Sequence, residues 1–360
     1  MIDFELGEEL ELIRETARSF SAERLRPHDR AFEGARSVPD ELRQTFAEMG
    51  LASLEIPESL GGAGLGALAR ALVLEELAAA DAGAALALDP LGPALYPLQE
   101  LGGEKALREL ALPLLERPGA RAVLALDDGG HLERAGGRVR GRLPWLPADR
   151  VDLLVVLAPD GAFAVEPDGE LQSLRGAGLR AAGASELCLD AAPLRGEWSD
   201  GRAAERALAR ARLYVAAMLV GVMRASAEFS RAYALERVAF GRPIAHHQAL
   251  AFLIADMASA VDGTRLLVWD AAWRLDQGDP AVEACATAFA EAAEQAMFVT
   301  PNGVQILGGH GFMQDYPVEK YMREARTLGL LVGGLDRARE DAGRALVAAE
   351  GRVALTLEAD

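Results

Sequence analysis

Two stretches in the C-terminal half hold the residues with the most chemical reach. LERVAFGRPIAHHQAL (235–250) reads as a helix ending near Arg237, a short turn through Phe240, Gly241 and Pro243, and a new helix from about Ala245. Such a turn gathers arginine side chains and unbonded backbone N–H groups. An arginine fork grips phosphate oxygens two at a time, and a helix N-terminus adds favourable potential for an anion. Taken alone, the turn reads first as a solvated connection between helices. The second stretch is VQILGGHGFMQDYPVEKYMREAR (304–326). Here Gly308 and Gly309 stop a helix and let another group approach the backbone. Gln305 offers an amide from the last turn, and Tyr316 and Pro317 open the next helix. Plainer readings are a glycine cap and a core-edge His310. Glu319 and Arg323, four apart on a helix, read as a surface pair.

The segment that follows, TLGLLVGGLDRAR (327–339), is almost bare of chemistry. Asp336 is its one carboxylate, and it reads most simply as a charge at a helix start. A stretch suited to a charged ligand thus runs into one with no obvious proton acceptor.

The elements that must position these residues fall into three parts. Residues 1–116 read as helices: PDELRQTFAEMG (39–50) starts at Pro39 and stops at Gly50, and LGALARALVLEELAAADAG (65–83) carries helical periodicity. Residues 117–200 read as a small β domain, with strands in VRGRLPWL (139–146), RVDLLVVLA (150–158), GAFAVEP (161–167) and SELCLDAAPL (185–194). Residues 201–360 return to helix in three long amphipathic patterns, 203–237, 247–278 and 280–309, the last with Pro301 as an interruption. The expected fold is α+β and mainly α: an N-terminal helical domain, a small middle β domain and a C-terminal four-helix bundle.

Composition narrows the function classes. Hydrophobic residues make up 51% of the 360, enough for a large core. No apolar run is read as a membrane span of roughly 20 residues, and the acidic N-terminus lacks a signal peptide's apolar stretch. A cytoplasmic protein is expected. The net charge of −18 argues against nucleic acid, though local arginines can still build an anion pocket. Cys188 and Cys285 read as small core residues. The five histidines show no metal-ligand spacing.

The two stretches together resemble the acyl-CoA dehydrogenase family. Its first pattern stands here as Glu236-Arg237, Phe240-Gly241, Pro243-Ile244 and Gln248. Its second stands as Gln305, Gly308, Gly309, Gly311, Tyr316-Pro317-Val318-Glu319, Arg323 and Ala325. The N-terminal AEMGLASLEIPESLGGAGLG (47–66) is similar to a family loop as well. The resemblance implies FAD as cofactor, an acyl-CoA substrate and an electron-transfer flavoprotein as redox partner. It implies that FAD lies across two subunits. One supplies the ring pocket and the base; its neighbour offers Arg237, Phe240, Gln248, Gln305, Gly308 and Gly309 to the diphosphate and adenosine end.

The chain departs from that family on one side only. The catalytic glutamate of the family falls on Val332, and the alternative base position falls on Ala211. Neither accepts a proton, and general-base catalysis contributes about 10²–10⁴-fold. The Gly/Ser-rich flavin loop is shortened to LALDDGGHLERAGG (124–137). The flavin-contacting hydroxyl is replaced in Trp145-Leu146-Pro147, leaving Trp145 to read as core. The chain therefore reads as a non-catalytic subunit beside a complete homologous acyl-CoA dehydrogenase subunit. Two other readings stay open: a self-sufficient flavoenzyme with a displaced base, for which Asp336 is the candidate, and a homo-oligomeric scaffold or acyl-CoA-binding protein without redox chemistry.

Overall fold

The computed structural model describes residues 6–127 and 132–348. Four longer helices build the N-terminal part: α1 (Glu8–Phe20), α2 (Asp29–Ala35), α3 (Asp40–Glu48) and α4 (Ala67–Leu88). Short helical turns follow over 92–115. Helix α4 is apolar on nearly every side and is buried on nearly every side, as a helix without a polar face must be. Its few charged residues are paired rather than solvated. Asp81 breaks the helical backbone with φ −159° and ψ 106°, and its Oδ1 accepts the Ala84 N–H at 2.9 Å. It caps the second half of the helix from within.

The middle part is a sheet of β1 (Ala122–Leu126), β2 (Leu132–Ala135), β3 (Arg138–Leu146), β4 (Leu153–Ala158), β5 (Gly161–Val165), β6 (Leu171–Ser173) and β7 (Ser185–Trp198). The strand order is β1-β4-β5-β7-β3-β2, with β6 on β7. Among the described residues, only β1 and β4 pair in parallel. The apolar runs LLVVLA and GAFAV form central strands buried on both faces, as uninterrupted hydrophobic patterning requires. As the end strand, β1 leaves one backbone edge outside the sheet.

The C-terminal part packs α5 (Gly201–Glu236), α6 (Gln248–Asp276), α7 (Val282–Leu307), α8 (Val318–Leu328) and α9 (Gly334–Ala348). Asp200 caps α5 by accepting the Arg202 and Ala203 N–H groups at 3.0 Å. Between α5 and α6 lies a small hairpin, β8 (Val238–Ala239) and β9 (Arg242–Pro243).

Four sequence expectations change. Helix α5 is long and apolar enough to cross a membrane by length and composition, but 78% of that window is buried inside the protein. Its apolar residues are bundle core. Helix α7 runs through Pro301 without a break; packing along its length outweighs one missing N–H. Cys188 is exposed on β7, and Cys285 alone is core, its thiol pushed up to about 12 by burial. Glu319 and Arg323 are not a surface pair. They bond each other at 2.7 Å and also reach Arg30 and Glu33 on α2, so the pair belongs to a part-buried cluster joining α8 to the N-terminal helices.

Candidate functional site

The turn after α5 is a two-residue hairpin with Phe240 at φ 53° and Gly241 at φ 80°. Both central residues are left-handed, the geometry that matches strand twist in tight hairpins. Phenylalanine in that region costs about 1–2 kcal/mol relative to its right-handed conformation. Its ring is nevertheless 97% exposed. Inside this chain the ring meets His247 edge-on, with centroids 6.0 Å apart, and its outer surface faces solvent. His247 braces the hairpin: its Nε2 donates to the Ala239 carbonyl at 3.2 Å, and its Nδ1 accepts from Arg242 at 3.2 Å. This assignment is the tautomer the partners require. Arg237 and Gln248 flank the hairpin, both exposed.

The end of α7 lies beside the end of α5. Gly308 takes φ 59° and ψ −131°, a conformation open to glycine alone. Gln305, Gly308 and Gly309 are all exposed. Gly311 folds the chain back so tightly that a Cβ there would come within 2.3 Å of the Val304 carbonyl oxygen. The Tyr233 hydroxyl meets His310 Nδ1 at 2.7 Å. Tyr233 lies one turn before Arg237, and His310 directly follows Gly309. The structure thus joins the neighbourhoods of both sequence patterns on one exposed face.

A separate cavity of about 390 Å³ opens between the sheet and the bundle. All of β1 lines it, together with Leu143–Pro147, Leu86, Val215 and the 330–333 loop. Trp145, expected in the core, is half-buried at the wall of this space. Trp145 and Val332, which the resemblance placed on the ring side, thus share one cavity wall. Val332 stands on the wall, buried, with φ 49°. A β-branched side chain in the left-handed region is strained. The Val332 carbonyl accepts from Arg212 Nε at 3.4 Å. Ala211 is fully buried and does not line the cavity; Val215, one turn on, does. Asp336 is exposed in the first turn of α9 and lies outside the cavity wall.

Two charged residues at this cavity escaped the sequence reading. Arg121, just before β1, is buried and donates to the carbonyls of Ala182, Leu86 and Pro147 at 2.9, 3.3 and 2.8 Å and to Asp149 at 3.4 Å. Burial pushes its guanidinium down to about 10. Asp89 accepts from Arg70 and from the Tyr214 hydroxyl, and its other oxygen takes the Leu91 N–H at 3.2 Å. Burial alone would lower the Arg70 guanidinium; Asp89, Tyr214, Tyr96 and Glu55 outweigh it and hold it above its ordinary value. Both residues are committed to structure. An arginine before an apolar strand was the available signal, but its partners come from 26 to 61 positions away.

Both regions bear on the fit of an FAD molecule. The cavity offers room near the lower end of small-molecule sites, roughly 300–1,000 Å³, the edge of β1 for hydrogen bonding, and Trp145 as a wall. It offers no hydroxyl at Pro147, whose carbonyl is occupied by Arg121. None of Arg237, Phe240, Gln248, Gln305, Gly308 or Gly309 lines it. The exposed Arg237 guanidinium and Gln305 amide have the chemistry to meet a diphosphate by charge-assisted contacts. The loop residues 128–131 lie outside the described residues.

Comparison with known proteins decides the lineage. The model for the acyl-CoA dehydrogenase N-terminal domain matches residues 7–116, and that for the C-terminal domain matches 200–347. The chain belongs to the acyl-CoA dehydrogenase family. Cyclohex-1-ene-1-carbonyl-CoA dehydrogenase of Syntrophus aciditrophicus is 32% identical over 95% of this chain and 91% of its own length. A chain solved in work on the electron transferring flavoprotein of Acidaminococcus fermentans is 28% identical, with TM-score 0.85, over 96% of this chain and 100% of that one. A steroid ACAD designated Tcur3481-Tcur3483 (G363A variant) is 25% identical, with TM-score 0.84, over 97% of this chain and 100% of that one. The chemistry of the acyl-CoA dehydrogenase family is FAD-dependent dehydrogenation of acyl-CoA thioesters.

Proposed function

We propose that this chain is the non-catalytic subunit of a hetero-oligomeric acyl-CoA dehydrogenase. The observation that carries the reading is the split between the two regions. The cavity has Val332 where the family has its acid, while Arg237, Phe240, Gln248, Gln305, Gly308 and Gly309 stand exposed on another face. That face is fit to lend contacts to a cofactor seated in a neighbour. Arg237 would hold the diphosphate by its fork, Gln305 by its amide, and the Gly308–Gly309 backbone by close approach. When bound, FAD supplies the hydride acceptor for α,β-dehydrogenation of the acyl-CoA. The partner, a complete homologous subunit, would supply the ring pocket and the carboxylate base, and an electron-transfer flavoprotein would take the electrons. The likeness to a steroid ACAD designated by two names supports a two-chain assembly.

The displaced-base alternative loses its candidate, because Asp336 is exposed and stands outside the cavity wall. The non-redox scaffold leaves the exposed Arg237 and the strained, solvent-facing Phe240 without a purpose. The test is to produce the chain alone and together with a complete homologous subunit, and to record visible spectrum and mass. The expected result is a colourless lone chain and a yellow mixed α2β2 tetramer with one FAD per pair. One FAD per chain from this protein alone defeats the proposal. A colourless product under both conditions favours the scaffold.

A further inference from the structure

The proposed half-site is assembled from two helix ends that are far apart in sequence, and something must fix one against the other. The side chains between them form one aromatic unit. The Tyr233 hydroxyl meets His310 Nδ1 at 2.7 Å. The His310 ring stacks on Tyr316, with centroids 5.0 Å apart and planes 15° apart. Tyr233 packs edge-on against Tyr316 at 6.0 Å, and Phe229 does so at 6.4 Å. The members come from three segments of the chain. Tyr233 and Phe229 belong to α5. The Arg237 N–H caps α5 by donating to the Tyr233 carbonyl at 2.9 Å, and the Ile244 N–H returns to the Arg237 carbonyl at 2.8 Å. His310 directly follows Gly309, at the end of α7. Tyr316 leads into α8, and its carbonyl accepts from Arg30 on α2 at 2.8 Å.

We infer that the Tyr233–His310–Tyr316 unit is the positioning element of the half-site, holding the Arg237 edge in register with the Gln305–Gly308–Gly309 edge. The inference rests on the proposed cofactor-lending role and names the residues that make that role geometrically possible. Positioning is needed because both edges are solvent-exposed and neither is held by core packing at its tip. A misplacement of about 1 Å is enough to degrade an arrayed set of contacts. Tyr233 and His310 touch no ligand in this role; they act through Arg237 and the glycine backbone.

The test uses the mixed oligomer with a complete homologous subunit, titrated with FAD, alongside thermal unfolding of the lone chain. Tyr233→Phe keeps the rings and removes the hydrogen bond; FAD binding is expected to weaken about fivefold. His310→Ala removes bond and stack, with about tenfold or greater weakening expected. His310→Phe keeps the stack and should fall with Tyr233→Phe. The decisive readout is coupling: Arg237→Ala combined with His310→Ala should bind FAD scarcely more weakly than Arg237→Ala alone, because with the Arg237 side chain gone His310 has no guanidinium left to position. A merely structural role predicts additive losses that track the melting temperature. Additive losses, or unchanged FAD affinity in both Tyr233→Phe and His310→Ala, overturn the inference while leaving the subunit role intact. A wild-type mixture that never holds FAD removes both. Should His310→Ala fail to fold, Tyr233→Phe combined with Arg237→Ala gives the same cycle.

Discussion

Arg237→Ala separates binding from stability. The Arg237 side chain is exposed. The backbone N–H and carbonyl of Arg237 bond to Tyr233 and Ile244, and those bonds survive truncation of the side chain. A surface substitution of this kind stays within about 0.5 kcal/mol, a shift of roughly 1–2 °C in the melting temperature. The cofactor sees a different loss. Hydrogen bonds to charged groups contribute about 1.5–3 kcal/mol each, and about 1.4 kcal/mol is a factor of ten in Kd. Loss of a single charged contact from Arg237 to the diphosphate therefore weakens FAD binding by about 10- to 150-fold. Arg237→Lys keeps the charge but not the fork, and should fall between. The assay is quenching of flavin fluorescence on titration into the mixed oligomer, with a thermal melt of the lone chain as control. FAD affinity within twofold of the unmodified complex refutes the assignment of Arg237. A fall of more than about 5 °C in the lone chain refutes the view that this side chain serves only the partner.

Three further outcomes test the rest of the structure. Arg70→Met leaves Asp89 buried without its cation and should cost about 3–5 kcal/mol in denaturant unfolding; adding Asp89→Leu should restore at least half, and strict additivity would show the pair to be uncoupled. Burial next to Asp81 raises Glu324 to about 7 despite Lys320. Because the folded form holds this proton more tightly than the unfolded chain, its contribution is fully present at low pH and is lost as pH climbs from about 4.5 through 7. Glu324→Gln should flatten the stability profile across that window, and an unchanged slope would place the titration elsewhere. Gly66→Ala would set a Cβ 2.2 Å from Asp276 Oδ1, the group that caps α4 by accepting the Ala67 and Leu68 N–H groups at 2.6 and 3.1 Å. A loss of about 1 kcal/mol is expected in thermal unfolding, and Asp276→Ala combined with it should add almost nothing.

Much of the architecture was legible because its signals are local. Helical periodicity and stop residues located α3, α4 and the long bundle helices, and alternating or continuous apolar runs located β3, β4, β5 and β7 within a few residues. The candidate set was legible for the same reason: Arg237, Phe240, Gly308 and Gly309 lie in short, ordered patterns, and the structure leaves Arg237, Phe240, Gly308 and Gly309 exposed. The errors share a cause. Cys188 was placed inside and the Glu319–Arg323 pair outside because residue type and helical spacing say nothing about which neighbours cover a face. Trp145 was assigned to the core because the sequence has no means of showing that a sheet edge and a bundle leave a space beside it.

The sequence by itself determined the elements, their order and the family, since each depends on residue identity or on spacing within a few turns. Tertiary structure alone decided where the charges go. Arg121 finds its acceptors on three separate segments, Arg70 reaches Asp89 across 19 residues, and the ends of α5 and α7 meet through Tyr233 and His310, 77 residues apart. A buried charge must be paired wherever the fold brings a partner, and which partner that is depends on how helices and sheet close on one another, a fact that no window of sequence contains.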